Sequence, residues 1–184
     1  MAPGCRSIVC DWIQLLSVMV IVATDLYRTV AGLAAGELIE LAPEARPPIP
    51  PDCLLAEFGM VLTHVGRGRN RALMPVTARH LNQRGVVQAG AMVAFADAAA
   101  GWAAYTALEH GGFTTTDLHC SLLRAARAGE QLIADAVPVH LGRRTLVFDV
   151  DIYRPDNPAK RMARFGCTQL VLDDAPAPAR SQDG

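Results

Sequence analysis

The chain lacks most of the features that would assign it quickly. It has no Cys-x-x-Cys pair, no histidines at metal-ligand spacing and no internal repeat. Its five cysteines (Cys5, Cys10, Cys53, Cys120 and Cys167) are odd in number and scattered. That excludes a zinc knuckle and a disulfide framework, and it fits free thiols in a reducing cytosol. Cys120 and Cys167 fall in strand-like alternation with no nucleophile motif around them. The formal net charge of −1 argues against a broad basic footprint for nucleic acid. The glycine pair in "VGRGRN" precedes a strand and not a helix, so it is no dinucleotide fingerprint. "WIQLLSVMVIVAT", Trp12 to Thr24, is uncharged but shorter than the roughly 20 residues of a membrane span. Asp11 directly before it, and the want of a small-x-small cleavage site, weaken a signal-peptide reading. A helix packed on the body or on a partner is preferred over a secretory or anchoring segment, so a cytoplasmic protein is expected, without membrane or nucleic-acid partners.

What is present is apolar. Hydrophobic residues make up 51% of the 184 and charged residues only 19%, an excess that points to a subunit interface as well as a core. The length fits one domain with an appendage. Residues 1–43 read as an N-terminal extension, helical in pattern. Residues 44–53, rich in proline, read as an extended linker and a domain boundary. Residues 54–174 form the domain, and residues 175–184 a disordered tail.

Within the domain, a short helical pattern passes into "GRGRNRALMPV", an edge strand closed by Pro75. A long helix follows from Ala89 to Glu109, with no proline, and the glycines after it stop it. Being apolar nearly all round, it is a buried helix. "TTTDLHCSLLR", "EQLIADAVPVHLG", "RRTLVFDVDIYR" and "RMARFGCTQLVLD" alternate as consecutive antiparallel strands, with "RPDNPAK" as a turn. The simplest solution is an α+β fold: a curved antiparallel sheet wrapped around one long central helix.

Asp97 stands in an alanine-rich run, with Val93, Ala94, Ala100 and Gly101 as its helical neighbours and no cation within a turn. Ionised and buried there it would be costly. It therefore faces solvent, or it sits in a cleft as a general base with a raised pKa. Ala89 and Gly90 open the same helix, where free N–H groups suit an oxyanion; Gly90 could instead serve close helix–sheet packing. Eight residues separate Ala89 from Asp97, about 12 Å along a helix, so one carbonyl does not easily touch both. Two antiparallel copies of the helix across a dimer axis would solve this and give two shared sites.

Several separated motifs fall in a familiar order: His80-Leu81-Asn82, Gly85, Gln88-Ala89-Gly90, Ala96-Asp97, Thr115-Thr116-Asp117, Gly129-Glu130 and Gly142-Arg143-Arg144. Over residues 54–172 the chain resembles the hot-dog fold acyl-CoA thioesterases of the phenylacetate-pathway (PaaI) type. The resemblance implies a thioester hydrolase acting on an acyl- or aryl-acyl-CoA, as a homodimer or a tetramer of two dimers, with no metal and no cofactor beyond the coenzyme A of the substrate. It implies Asp97 as base or nucleophile and an oxyanion donor at Ala89 and Gly90. It also implies that Asn82 places the thioester or water and that Thr115, or Thr116 beside it, orients the water. Turn bonding and ordinary β-propensity are the alternatives for these three.

The family's His-Gly-Gly stands here as Gln88-Ala89-Gly90. Alanine keeps the backbone donor, and Gln88 can hydrogen-bond but does not titrate. Arg143 and Arg144, in a hairpin turn, suit the phosphates of coenzyme A, with Thr116 a further contact; a solvated turn explains them nearly as well. Arg124 and Arg127 are weaker candidates. His80, His119 and His140 read as structural or exposed. Phe95, Trp102 and Tyr105 line an acyl pocket or, the preferred reading, fill the core. Two rival functions remain: a non-catalytic module binding acyl-CoA or an aromatic ligand, and a hot-dog hydratase or dehydratase, which normally needs a histidine that this helix lacks.

Overall fold

The computed structural model describes residues 25–172. The apolar Trp12–Thr24 segment, Cys5, Cys10 and the 175–184 tail lie outside the described residues. Residues 25–30 are helical (α1). There follow β1 (Ile39–Glu40), α2 (Leu54–Glu57), β2 (Val61–Gly66), β3 (Arg69–Pro75), α3 (Ala89–Ala107), β4 (Gly112–Leu122), β5 (Gln131–Leu141), β6 (Thr145–Arg154) and β7 (Asn157–Leu172). The strands form one antiparallel sheet in the order β1-β2-β3-β5-β6-β7-β4. The sheet is curved and open, and the long helix α3 packs against β2 through β7. This is the expected α+β hot-dog arrangement.

Alanine explains how closely helix and sheet approach. Ala96, Ala99, Ala100, Ala103 and Ala104 of α3 are fully buried, and the inward positions Ala72, Ala134 and Ala136 on β3 and β5 are equally small. Larger inward residues from β6, Leu146, Phe148, Val150 and Ile152, fill the space beside the helix. Buried Asn70 ties the layers directly, donating from Nδ2 to the Ala99 carbonyl at 2.6 Å. The same alanines give α3 its stability as a helix, since none of them loses side-chain entropy on ordering. It ends at Ala107, two residues before the expected limit, and the chain turns through Gly111 at φ +83.

Three features differ from the sequence-based expectation. Three strands precede α3 where one was expected. "VLTHVG" and "RNRALMP" are separate strands of a hairpin whose turn is only Arg67-Gly68, with Gly68 at φ +63. β3 is not an edge strand: it lies between β2 and β5, and Pro75 is tolerated because it closes the ladder opposite Gln131. Third, β4 does not pair with the strand that follows it. It pairs with β7 and forms one edge of the sheet.

The proline-rich 44–53 stretch is irregular, apart from a 3-10 turn over Pro43–Ala45. The residues before it are not separate from the body. Leu26, Val30 and Leu41 enter the same core, and β1 adds to β2 with Ile39 opposite Val65.

Candidate active site

The loop before α3 is tied down by its own polar groups. Leu81 and Val87 form an isolated bridge, and Asn82 and Val86 bond through the backbone at 2.8 Å. The Asn82 Oδ1 accepts from the N–H of Arg84 at 2.9 Å and of Val86 at 3.4 Å. Asn82 therefore builds the turn with its oxygen, which leaves Nδ2 as its remaining donor. Gly85 sits at φ +72, a conformation that strains a side chain. This loop delivers Gln88 as the N-cap of α3, its side chain making no capping bond.

Ala89 and Gly90 follow, both exposed. The Ala91 N–H already bonds the Gln88 carbonyl at 3.0 Å; among the described residues the N–H groups of Ala89 and Gly90 take no backbone acceptor. They are donors at the positive end of a 19-residue helix. A Cβ built on Gly90 meets nothing within 4 Å, so packing within the protomer does not require glycine there.

Asp97 lies two turns further on. It is half-buried, on a helix stripe formed with Val93, Ala94, Ala98, Gly101 and Tyr105, all of them partly exposed. β4 runs back along the helix and brings Thr115 to this stripe. Its hydroxyl donates to Asp97 Oδ1 at 2.8 Å across 18 residues of sequence. A β-bulge immediately after Thr115 shifts the register, and Thr116 bonds the Thr168 carbonyl at 3.3 Å instead. Of the two threonines, only Thr115 joins Asp97.

The arginine pair lies elsewhere. Arg143 and Arg144 are exposed in the β5–β6 turn, next to Leu141. A Cβ on Gly68 would touch both Leu141 and Ala107, which puts that turn at the C-terminal end of α3. Ala107 is 18 residues from Ala89, about 27 Å along the helix. Within one protomer, then, the arginines and the helix N-terminus sit at opposite ends.

The other titratable candidates separate cleanly. The Cys167 thiol is buried and pushed up to about 12, by desolvation first and then by Asp97, Asp117 and Asp149, so it is no thiolate nucleophile. Cys120 is exposed on β4. His80 is buried, accepts the Thr77 N–H at 2.8 Å and packs edge-on to Phe58 at 4.8 Å; desolvation holds its pKa below the usual value. His119 is exposed beside Asp117 at 3.3 Å, and His140 is exposed in β5. No three potential metal-ligating side chains cluster among the described residues. Phe95 and Trp102 are core, and Tyr105 packs edge-on to Phe113 at 4.8 Å.

One residue near Asp97 gave no motif signal. Gln169 on β7 is the cross-strand partner of Thr115 and is fully buried. Its only mark in the sequence is a lone amide at an inward position of the apolar alternation "FGCTQLVL".

Comparison with known proteins agrees with this fold. The Thioesterase superfamily profile matches residues 84–159. A Deinococcus radiodurans protein named as an esterase is 32% identical over 125 residues, 67% of this chain and 84% of that one. The crystal structure of a thioesterase from Haemophilus influenzae superposes with a TM-score of 0.61 at 28% identity, over 66% of this chain and 84% of that one. A phenylacetic acid degradation protein PaaI from Thermus thermophilus gives 0.59 at 28% identity, over 64% and 97%. The chain belongs to the thioesterase superfamily. It is a PaaI-like hot-dog protein, and the class is one of thioester hydrolases.

Proposed function

We propose that this chain is an acyl-CoA thioesterase whose base is Asp97 and whose sites are shared between two copies. The observation that carries the reading is the Thr115 hydroxyl held 2.8 Å from Asp97 Oδ1 on a half-exposed helix stripe. A carboxylate there is fixed in direction yet still reachable.

Two features favour a second copy. β4 presents an 11-residue free edge, mostly exposed, of the kind that pairs with another strand. The Asp97 stripe beside it is otherwise uncharged and, apart from Tyr105, small and apolar. An antiparallel pairing sets the N-terminus of one α3 against the Asp97 region of the other, and brings the Arg143-Arg144 turn of one copy towards the Ala89–Gly90 end of its mate. Oxyanion donors, base and phosphate-binding cations then converge, although the protomer alone keeps them apart.

The reaction follows from these groups. Water attacks the thioester carbonyl carbon and gives its proton to Asp97. The carbonyl oxygen takes the negative charge and is stabilised by the N–H groups at Ala89 and Gly90. The C–S bond then breaks, and the CoA thiolate leaves with the proton held by Asp97, releasing the free acid. In this reading Asn82 Nδ2 and Gln88 orient the thioester at the helix N-terminus. Each step uses only protein groups and water.

Release of free thiol from acetyl-, hexanoyl- and phenylacetyl-CoA tests the reading. Wild-type turnover together with a folded, inactive Asp97→Ala variant is expected. Undiminished turnover by Asp97→Ala would remove Asp97 from the mechanism. Tight binding without turnover would make the protein a binding module, and hydration of an enoyl-CoA would make it a hydratase.

A further inference from the structure

The sheet edge opposite β4 is closed by the chain's own N-terminal part. Without it β2 would be the terminal strand, and β2 is poorly suited to that place. "VLTHVG" is six residues, half of them β-branched, with no lysine, arginine, carboxylate or proline. An uncharged edge of that kind invites a strand from another molecule. Residues 25–42 lie across it instead. Ile39 pairs with Val65, Glu40 with His64, and the Leu41 N–H bonds the Thr63 carbonyl at 2.8 Å. Leu26, Val30 and Leu41 anchor this strap in the core, and Arg69 donates to the Gly36 carbonyl at 3.3 Å.

One residue of β2 is fitted to the strap. Gly66 is buried and does not have a positive φ, so its backbone would suit any residue. What the place does not accept is a Cβ. One built there overlaps the Glu37 carbonyl oxygen, and it meets the Glu37 carbonyl carbon and Leu38 Cδ2, both at 3.3 Å. These three nearest atoms all belong to the strap, and the two from Glu37 are backbone, which cannot turn aside. The glycine is therefore the seat of the strap and not a requirement of the strand. The strap also changes the character of the edge. The new terminal strand, β1, is two residues long and holds Glu40, with Glu37 before it and Pro43 and Glu44 after it. Short length, charge and proline are the features that keep an edge from pairing.

We infer that residues 25–42 are a built-in guard of the β2 edge, which keeps a second copy of this chain from pairing there and confines strand-to-strand assembly to β4. The inference goes beyond the catalytic reading and stands whether or not Asp97 is the base. Symmetry gives the guard its consequence. Two copies joined at one edge make a closed pair. With β2 also open, each copy has two edges to offer, and association continues past two copies into open-ended species.

The test uses the full chain. Gly66→Val fills the seat while favouring the strand, and Val30→Asp pulls the strap from the core without altering β2. In either variant hydrogen exchange over residues 25–42 and 61–66 is expected to quicken. Sedimentation is expected to show species of about twice the wild-type mass or more, growing with concentration. Adding His64→Lys to Gly66→Val is expected to restore the wild-type mass, because a lysine on an open edge resists pairing. Faster exchange with the wild-type mass at every concentration overturns the inference. So do larger species that persist with His64→Lys, which would come from uncovered core. Unchanged exchange in Gly66→Val, with the strap still in place, overturns it too. Loss of the folded state in both variants, read by circular dichroism, would make the strap a requirement of the core and overturn it as well.

Discussion

Replacing Thr115 with valine removes one hydroxyl and almost nothing else. The two side chains have the same shape, and valine favours a strand at least as well. What is lost is the 2.8 Å donation to Asp97 Oδ1. Hydrogen bonds to charged groups contribute about 1.5–3 kcal/mol. Asp97 is half-buried, so water replaces part of the loss, and the lower end of that range applies. About 1.4 kcal/mol corresponds to a tenfold change in rate. Thr115→Val should therefore lower kcat/KM about tenfold through misdirection of the carboxylate, with Tm nearly unchanged. Initial rates of thiol release, with circular dichroism to establish folding, give both numbers. Thr115→Ser, which keeps the oxygen, should retain most of the activity. Wild-type rates in Thr115→Val, or equal losses in the valine and serine variants, would refute the claim that this hydrogen bond orients the base.

Two further outcomes follow from the same geometry. Ala98→Arg places a long cation on the half-exposed helix stripe beside Asp97. It should convert an assembled protein to monomers in sedimentation and lower the rate by about 100-fold or more, because the oxyanion donors are then lost; a fully active monomer would sink the shared site. His80 has its pKa held below the ordinary 6.5 by burial, so the folded state favours the neutral ring. The unfolded chain takes up the proton first, and the stability contributed by the neutral ring is present above the unfolded value and lost as pH falls below it. Urea midpoints should drop on acidification below about pH 6.5, and His80→Phe should flatten that dependence.

The long helix and the four strands after it were legible because each is a local pattern. Ala89–Ala107 combines high helix propensity with the want of proline, and the stretches from Gly112 to Leu172 alternate with a period of two. β2 does not stand out as a strand of its own: the pattern gives a short helical stretch passing into one strand, "GRGRNRALMPV", because the hairpin turn is only two residues, Arg67-Gly68. β1 is two residues long and offers no period at all. The neighbours of a strand were not legible either. β4 sits beside β7 because α3 must be wrapped from both sides, and no feature within "GFTTTDLHCSL" names its partner.

The same division holds for chemistry. The order of the motifs from His80 to Arg144 made the family legible, and with it the class of reaction, through a resemblance; a lone carboxylate and a helix opening with free N–H groups are compatible with that class. Only the tertiary structure decided which groups meet. A β-bulge selected Thr115 over Thr116 as the partner of Asp97. The helix kept Arg143 and Arg144 at the far end of the protomer from Ala89 and Gly90. The reason is that propensity and periodicity act over a few residues. Register, burial and the approach of one element to another are set by contacts between residues far apart in the chain, which no short segment encodes by itself.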